Sequence, residues 1–195
     1  MKITRRRAGI LSLAACAAVG TALTLTTLSA SAVETTADPL SVLETKGPTS
    51  LLPATADLSL LGNGGVSPET VVDLGQDENG TYFAGTDVEG NVCLLTLVPA
   101  TELLAAACAA PEVLHETGIA LAVSSKLPTG ALASNEMYLL PDGVDINGQV
   151  EKSSGLTLIS PNLLVGESVD STKTLAVGTL EGHSFDIPLY DAEDQ

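Results

Sequence analysis

Arginine stops at position 7 of this 195-residue sequence, tryptophan is missing, and aromatic residues make up only 3%. Each shortage excludes something. Beyond Arg7 no guanidinium is available to clamp a phosphate or carboxylate in a bidentate fork. A formal net charge of −16 leaves nothing to neutralise a nucleic-acid backbone. Without tryptophan there are poor platforms for sugar stacking. Two histidines, His115 and His183, are the whole supply of imidazole bases. No G-x-S-x-G elbow, S-x-x-K, phosphate-binding P-loop or H-E-x-x-H is present. A hydrophobic fraction of 45% argues against a disordered chain.

The one long apolar run lies at the start. Lys2, Arg5, Arg6 and Arg7 form a basic head, Ala8 to Ala30 is uncharged, and Ala30-Ser31-Ala32 is an A-x-A cleavage site. This is the pattern of a secretory signal over residues 1–32, with Val33 the expected first mature residue. An uncleaved anchor helix fits less well, because Ser12, Gly20 and several threonines dilute the run. Leu13-Ala14-Ala15-Cys16 also matches a lipobox in which Cys16 would be lipidated, but only about eight apolar residues precede it. Arg5-Arg6 is similar to a twin-arginine signal, without the bulky apolar residue that should follow. Cleavage after Ala32 would leave 163 residues with four lysines against 24 acids, a net charge of −20. Such a chain is soluble outside the cell and a poor partner for anionic lipid surfaces. The expected location is secreted or associated with the cell envelope, with no membrane span after processing.

Loss of the leader also removes Cys16 and leaves Cys93 and Cys108. An even pair in an oxidising compartment reads as a disulfide, closing a loop of about sixteen residues. Two separate buried thiols are the alternative. No C-x-x-C exists and neither histidine has ligand spacing to the cysteines, so neither a metal site nor a cofactor is expected.

Residues 33–66 are rich in Thr, Ser, Pro and Gly and read as a flexible arm, although its leucines are numerous enough for part of it to dock. A globular domain is expected over 67–190, followed by an acidic tail at 191–195. Ser67-Pro68-Glu69 reads as a helix start carried through Val71–Leu74 to Gly75. Val92–Val98 is nearly continuous apolar and reads as a strand buried on both faces. Ala100–Ala110 favours helix by propensity. Glu112–Thr117 is expected to form another helical turn, stopped at Gly118. Further strands are expected at Tyr82–Ala84, Ile119–Val123, Met137–Leu140, Leu156–Ile159, Leu163–Val165, Leu175–Val177 and Phe185–Ile187. Short strands at this spacing predict a mainly β (α+β) fold: a small antiparallel sheet, sandwich or open barrel with one or two short helices. Gly85–Val92 is echoed 58 residues later by Gly143–Val150, and more loosely by Gly178–Gly182. Each copy reads as a strand, a tight turn at Glu-Gly or Asn-Gly, and a strand.

Val92-Cys93-Leu94, Ala107-Cys108, Gly118-Ile119-Ala120-Leu121 and Leu139-Leu140-Pro141-Asp142-Gly143-Val144, in that order, resemble a set of uncharacterised exported or membrane-anchored actinobacterial proteins. The likeness spans about residues 67–168 and implies no activity and no site residues.

Three arrangements bear on chemistry. His183 neighbours Ser184 and Asp186, but on a strand those two share one face and His183 points away. A carboxylate pair for hydrolysis could arise among 24 acids. The acidic turns Asp77–Gly80, Asp87–Asn91 and Asp142–Gly148 offer oxygen ligands for calcium, although none keeps the register of an EF-hand loop, and β-turns demand the same residues. The expectation is a non-enzymatic binding or structural domain with an envelope or extracellular partner. A carboxylate hydrolase and a calcium-binding module are the alternatives.

Overall fold

The computed structural model describes residues 40–44, 52–53, 56–126, 130, 132–146, 155–167 and 174–188. The expected leader with Cys16, the expected Ala32–Val33 cleavage point, the acidic tail and the Asn147-Gly148 turn of the second echo lie outside them.

The fold is mostly β. Eleven antiparallel strands are described, with one α-helix and one disulfide, and the sheets are open rather than closed into a barrel. The first sheet is a meander of β1 (Val72–Gln76), β2 (Thr81–Thr86), β3 (Val92–Val98) and β4 (Leu103–Ala109). Helix α1 (Pro111–Thr117) leads to the second sheet. That sheet holds β5 (Ile119–Lys126), β6 (Leu132–Leu139), β8 (Leu156–Ser160) and β9 (Leu163–Glu167), in the order β5-β6-β9-β8. The third sheet is β11-β10-β7, from β7 (Asp145–Ile146), β10 (Thr174–Leu180) and β11 (His183–Pro188).

Strand alternation explains how the sheets stack, because successive side chains point to opposite faces. In β3, Val92, Leu94 and Val98 face one core, where they meet Ile119 and Val123 of β5 and Met137 and Leu139 of β6. In β6, Tyr138 and the adjoining Leu140 turn the other way, onto Val177, Phe185 and Ile187 of the third sheet. The second sheet is therefore the middle layer, covered on both faces. The outer face of the first sheet, with Phe83, Cys93 and Leu95, is covered by Leu58, Val66 and Val71 from the chain preceding β1. Leu40 is fully buried in the core between the first two sheets.

The strands read from the sequence are all present, and Val92–Val98 has the expected bounds and double-sided burial. Two helical readings are corrected. Residues 103–109 of the Ala-rich stretch form β4, not helix. Helix propensity is a weak prior that tertiary packing overrides. Ala105, Ala107 and Ala109 pack towards the second sheet, where their small side chains admit close approach, and the disulfide ties β4 to β3. Near residue 67, only Pro68–Thr70 is helical, as a single 3₁₀ turn with no side-chain cap from Ser67. Val72 and Leu74 belong to β1, because both are needed in the core. The third helical reading, Glu112–Thr117, holds: α1 ends at Gly118, whose φ of 72° favours glycine. The loose third echo is a hairpin, with Glu181 and Gly182 both at positive φ between Leu180 and His183.

Candidate functional site

The densest polar structure surrounds the β2–β3 turn. Asp87 follows β2 and is 3% exposed. One carboxylate oxygen accepts the backbone N–H groups of Glu89 and Asn91, both at 2.9 Å. The other accepts Asn91 Nδ2 at 2.8 Å. A backbone donor of Asn63 reaches the same carboxylate. Burial by itself raises the pKa of Asp87, but the donors of Asn91, Glu89 and Asn63 outweigh it and hold the carboxyl below the ordinary aspartate range. The segment before β1 is laced onto this turn. Val88 N–H donates to Gly65 O, Ser67 N–H to Thr86 O, and Asn63 Nδ2 to Glu89 at 3.4 Å.

Beside this turn lies the disulfide. Cys93 and Cys108 stand directly opposite each other on β3 and β4 and are bonded. Cys93 is fully buried. Gly62 has a φ of 62°, and a Cβ added there would lie 2.8 Å from the Cys108 sulfur. The position thus requires glycine for its backbone and for its contact with the sulfur. The Asp87 carboxylate and both sulfurs lie within 4.8 Å of one another. Joined as a disulfide, the sulfurs are not the thiolates that bind metals.

The carboxylates of the other two acidic turns also accept donors from the chain, Asp77 within its own turn and Asp142 from distant segments. Asp77 Oδ1 accepts from the N–H groups of Asn79 and Gly80 and from the Tyr82 hydroxyl at 2.8 Å. Burial, followed by the hydrogen bond and charge of Asp77, pushes the Tyr82 phenol well above its usual value. Asp142 Oδ2 accepts the N–H of Ser41, and Oδ1 accepts Asn162 Nδ2 at 2.9 Å. Burial raises the pKa of Asp142, but Ser41 and Asn162 reverse the effect and lower it. This contact holds the 3₁₀ turn Ser41–Glu44 against the domain, next to the buried Leu40.

His115 is exposed on α1 and His183 is exposed at the start of β11. Ser184 Oγ donates to Asp186 at 3.1 Å across one face of β11. Among the described residues, neither histidine hydrogen-bonds a hydroxyl or a carboxylate. Sequence reasoning picked out Asp77, Asp87 and Asp142 as turn acids but missed Asn63 and Asn162, which complete two of the three carboxylate sites. Asn63 falls in the glycine-rich end of the arm, where nothing in the sequence points to its donation to the distant Asp87.

The two lowered carboxyls make stability depend on pH. A group whose folded pKa lies below its unfolded value stabilises the fold above the unfolded value, about 3.9 for Asp, and loses that contribution as pH falls through the folded one. Asp142→Asn should therefore lose stability at pH 7 and narrow the difference in melting temperature between pH 7 and pH 3. An unchanged difference in a pH series of thermal melts would refute the role given to Asp142.

No protein-family model, no curated protein and no solved structure matches this chain.

Proposed function

We propose that the protein is an exported, non-enzymatic β-rich module with a binding or structural role at the cell envelope or outside the cell. The observation that carries this reading is how the carboxylates are used. Asp57, Asp73, Asp77, Asp87 and Asp142 each accept hydrogen bonds from the chain's own N–H groups. Carboxylate oxygens occupied by the chain's own donors fasten turns and neighbouring segments, and are the less open to a substrate or a cation. Export is supported by the leader pattern of residues 1–32 and by a disulfide, which persists in oxidising compartments. No helix among the described residues is long and apolar enough to cross a membrane.

Three measurements test the reading. N-terminal sequencing of the protein recovered outside the expressing cells should begin at Val33; retention of residues 1–32 would overturn cleavage, and a lipidated Cys16 would replace it with anchoring. Thermal melts with millimolar calcium and with chelator should agree to within about 1 °C, since a ligand that binds the folded state raises the melting temperature by mass action. A saturable rise of several degrees would establish the calcium module instead. Turnover of polysaccharide substrates that disappears on substitution of an acid would establish the hydrolase.

A further inference from the structure

Each sheet has two edges, and the chain treats them differently. β1 is interrupted by a bulge between Asp73 and Gly75, and β8 by one between Leu158 and Ser160. β7 is two residues long. β11 carries exposed His183 and Asp186, and β5 ends in Ser124-Ser125-Lys126. Bulges, short strands and charges are the devices that keep an open edge from pairing with another chain. β4 has none of them. Its seven residues, Leu103–Ala109, include no charge, proline or glycine, and it pairs with β3 at every position without a shift.

The register fixes which backbone groups β4 offers. Cys93 and Cys108 are opposed with Cα atoms 4.0 Å apart, the close spacing of a pair that does not exchange hydrogen bonds. Alternation then turns the N–H and C=O groups of Leu104, Ala106 and Cys108 away from β3, while Leu103, Ala105, Ala107 and Ala109 bond to it. Among the described residues, no hydrogen bond from elsewhere reaches the outward groups.

We infer that β4 is a self-association edge, through which two copies of the chain pair antiparallel about a twofold axis at Ala106. The strand is complementary to itself in that register and no other partner is needed. Centring on Ala106 sets Ala106 against Ala106 and Leu104 against Cys108 of the second copy, so every outward-facing residue meets another. Each such pair exchanges two N–H···O bonds, and the two four-stranded sheets become one. The side chains brought together are small or apolar, and the nearest acids, Glu102 and Glu112, lie outside the paired stretch. The disulfide holds β4 in one register on β3, so the edge is presented ready-formed. The high negative charge opposes the approach of a second copy, so the dimer strengthens with ionic strength; a basic peptide at the same edge would weaken. Pairing of this kind depends on the backbone of β4 and not on the exported role.

The test combines sedimentation equilibrium with residue-resolved amide exchange on the disulfide-intact chain as recovered from expressing cells. The apparent mass should double with rising concentration, at lower concentration in high salt. The amides of Leu104, Ala106 and Cys108 should slow at least about tenfold from monomer to dimer, while those of Ala105 and Ala107 change little. Ala106→Pro removes an outward N–H without taking a bond from β3, a position edge strands tolerate, and should abolish the dimer. If that variant does not fold, the exchange data on the unaltered chain decide. A chain that stays monomeric at all concentrations, or a dimer in which those three amides remain fast, overturns the inference. So does protection of the three amides at every dilution, which would mean that the chain's own residues cover the edge. A dimer weakened by salt also overturns it.

Discussion

Asp87→Ala is expected to lower the unfolding free energy by about 3–5 kcal/mol, a larger loss than any other single polar substitution in the β1–β4 sheet should cause. Hydrogen bonds to a charged acceptor contribute roughly 1.5–3 kcal/mol each, and removing the acceptor leaves its buried donors unsatisfied. The donors are the backbone N–H groups of Glu89 and Asn91, the side-chain amide of Asn91 and a backbone donor of Asn63. The damage should extend beyond the hairpin, because Asp87 also forms an isolated bridge with Val66 and its neighbours hold the segment before β1. Asp87→Asn separates charge from shape. It keeps one acceptor oxygen but turns an amide towards a donor, so its loss should be smaller than that of alanine. Denaturant melts of both variants provide the check. Equal losses for the two would mean that the negative charge matters more than the acceptor geometry, and a loss below about 1 kcal/mol for alanine would remove Asp87 as the organising group.

The second large effect is expected from the disulfide. Replacing Cys93 and Cys108 together with alanine should cost about 3 kcal/mol, the chain-entropy value for a loop of this length. The separation of the two cysteines is 15 residues. Alanine is suited to this site because neighbouring Ala106 already packs on the same face of β4. Reduction of the unaltered protein should cause a similar loss. Thiol titration of the unreduced, denatured protein should find neither Cys93 nor Cys108 free; two free thiols there would refute the bond. A midpoint shift without the expected drop in free energy would point to residual structure in the unfolded chain in place of loop closure.

These two sites show where the sequence was legible. The pairing of Cys93 with Cys108 could be read from their number and the expected compartment, and the strand at Val92–Val98 from its nearly unbroken apolar run. Those two readings together contained a signal that propensity obscured. If Cys93 faces Cys108 across adjacent strands, the chain must reverse near Ala100, and Leu97 falls opposite Leu104, as observed. The alanines then have to be strand. Residues 71–74 were misread for a related reason: a good helix start at Ser67-Pro68 says nothing about how soon the helix ends, and the core's demand for Val72 and Leu74 ends it after one turn. The donors from Asn63 and Asn162 could not be read at all, since they depend on chain segments that meet only after the sheets have stacked.

The order of the strands has a kinetic consequence. In the first sheet every pairing joins neighbours along the chain, so each needs only a short loop to close. The second and third sheets do not share this property. β9 must return to β6 past β7 and β8, setting Leu163 opposite Leu139, and β10 must find β7, setting Thr179 opposite Asp145. Loop-closure entropy makes such distant pairings slow. The rate-limiting step of folding should therefore lie in the middle sheet, with the β1–β4 meander formed before it and the β10–β11 hairpin waiting on it to dock. Substitutions in β9 should slow folding, whereas those at the free end of β1 should mainly speed unfolding.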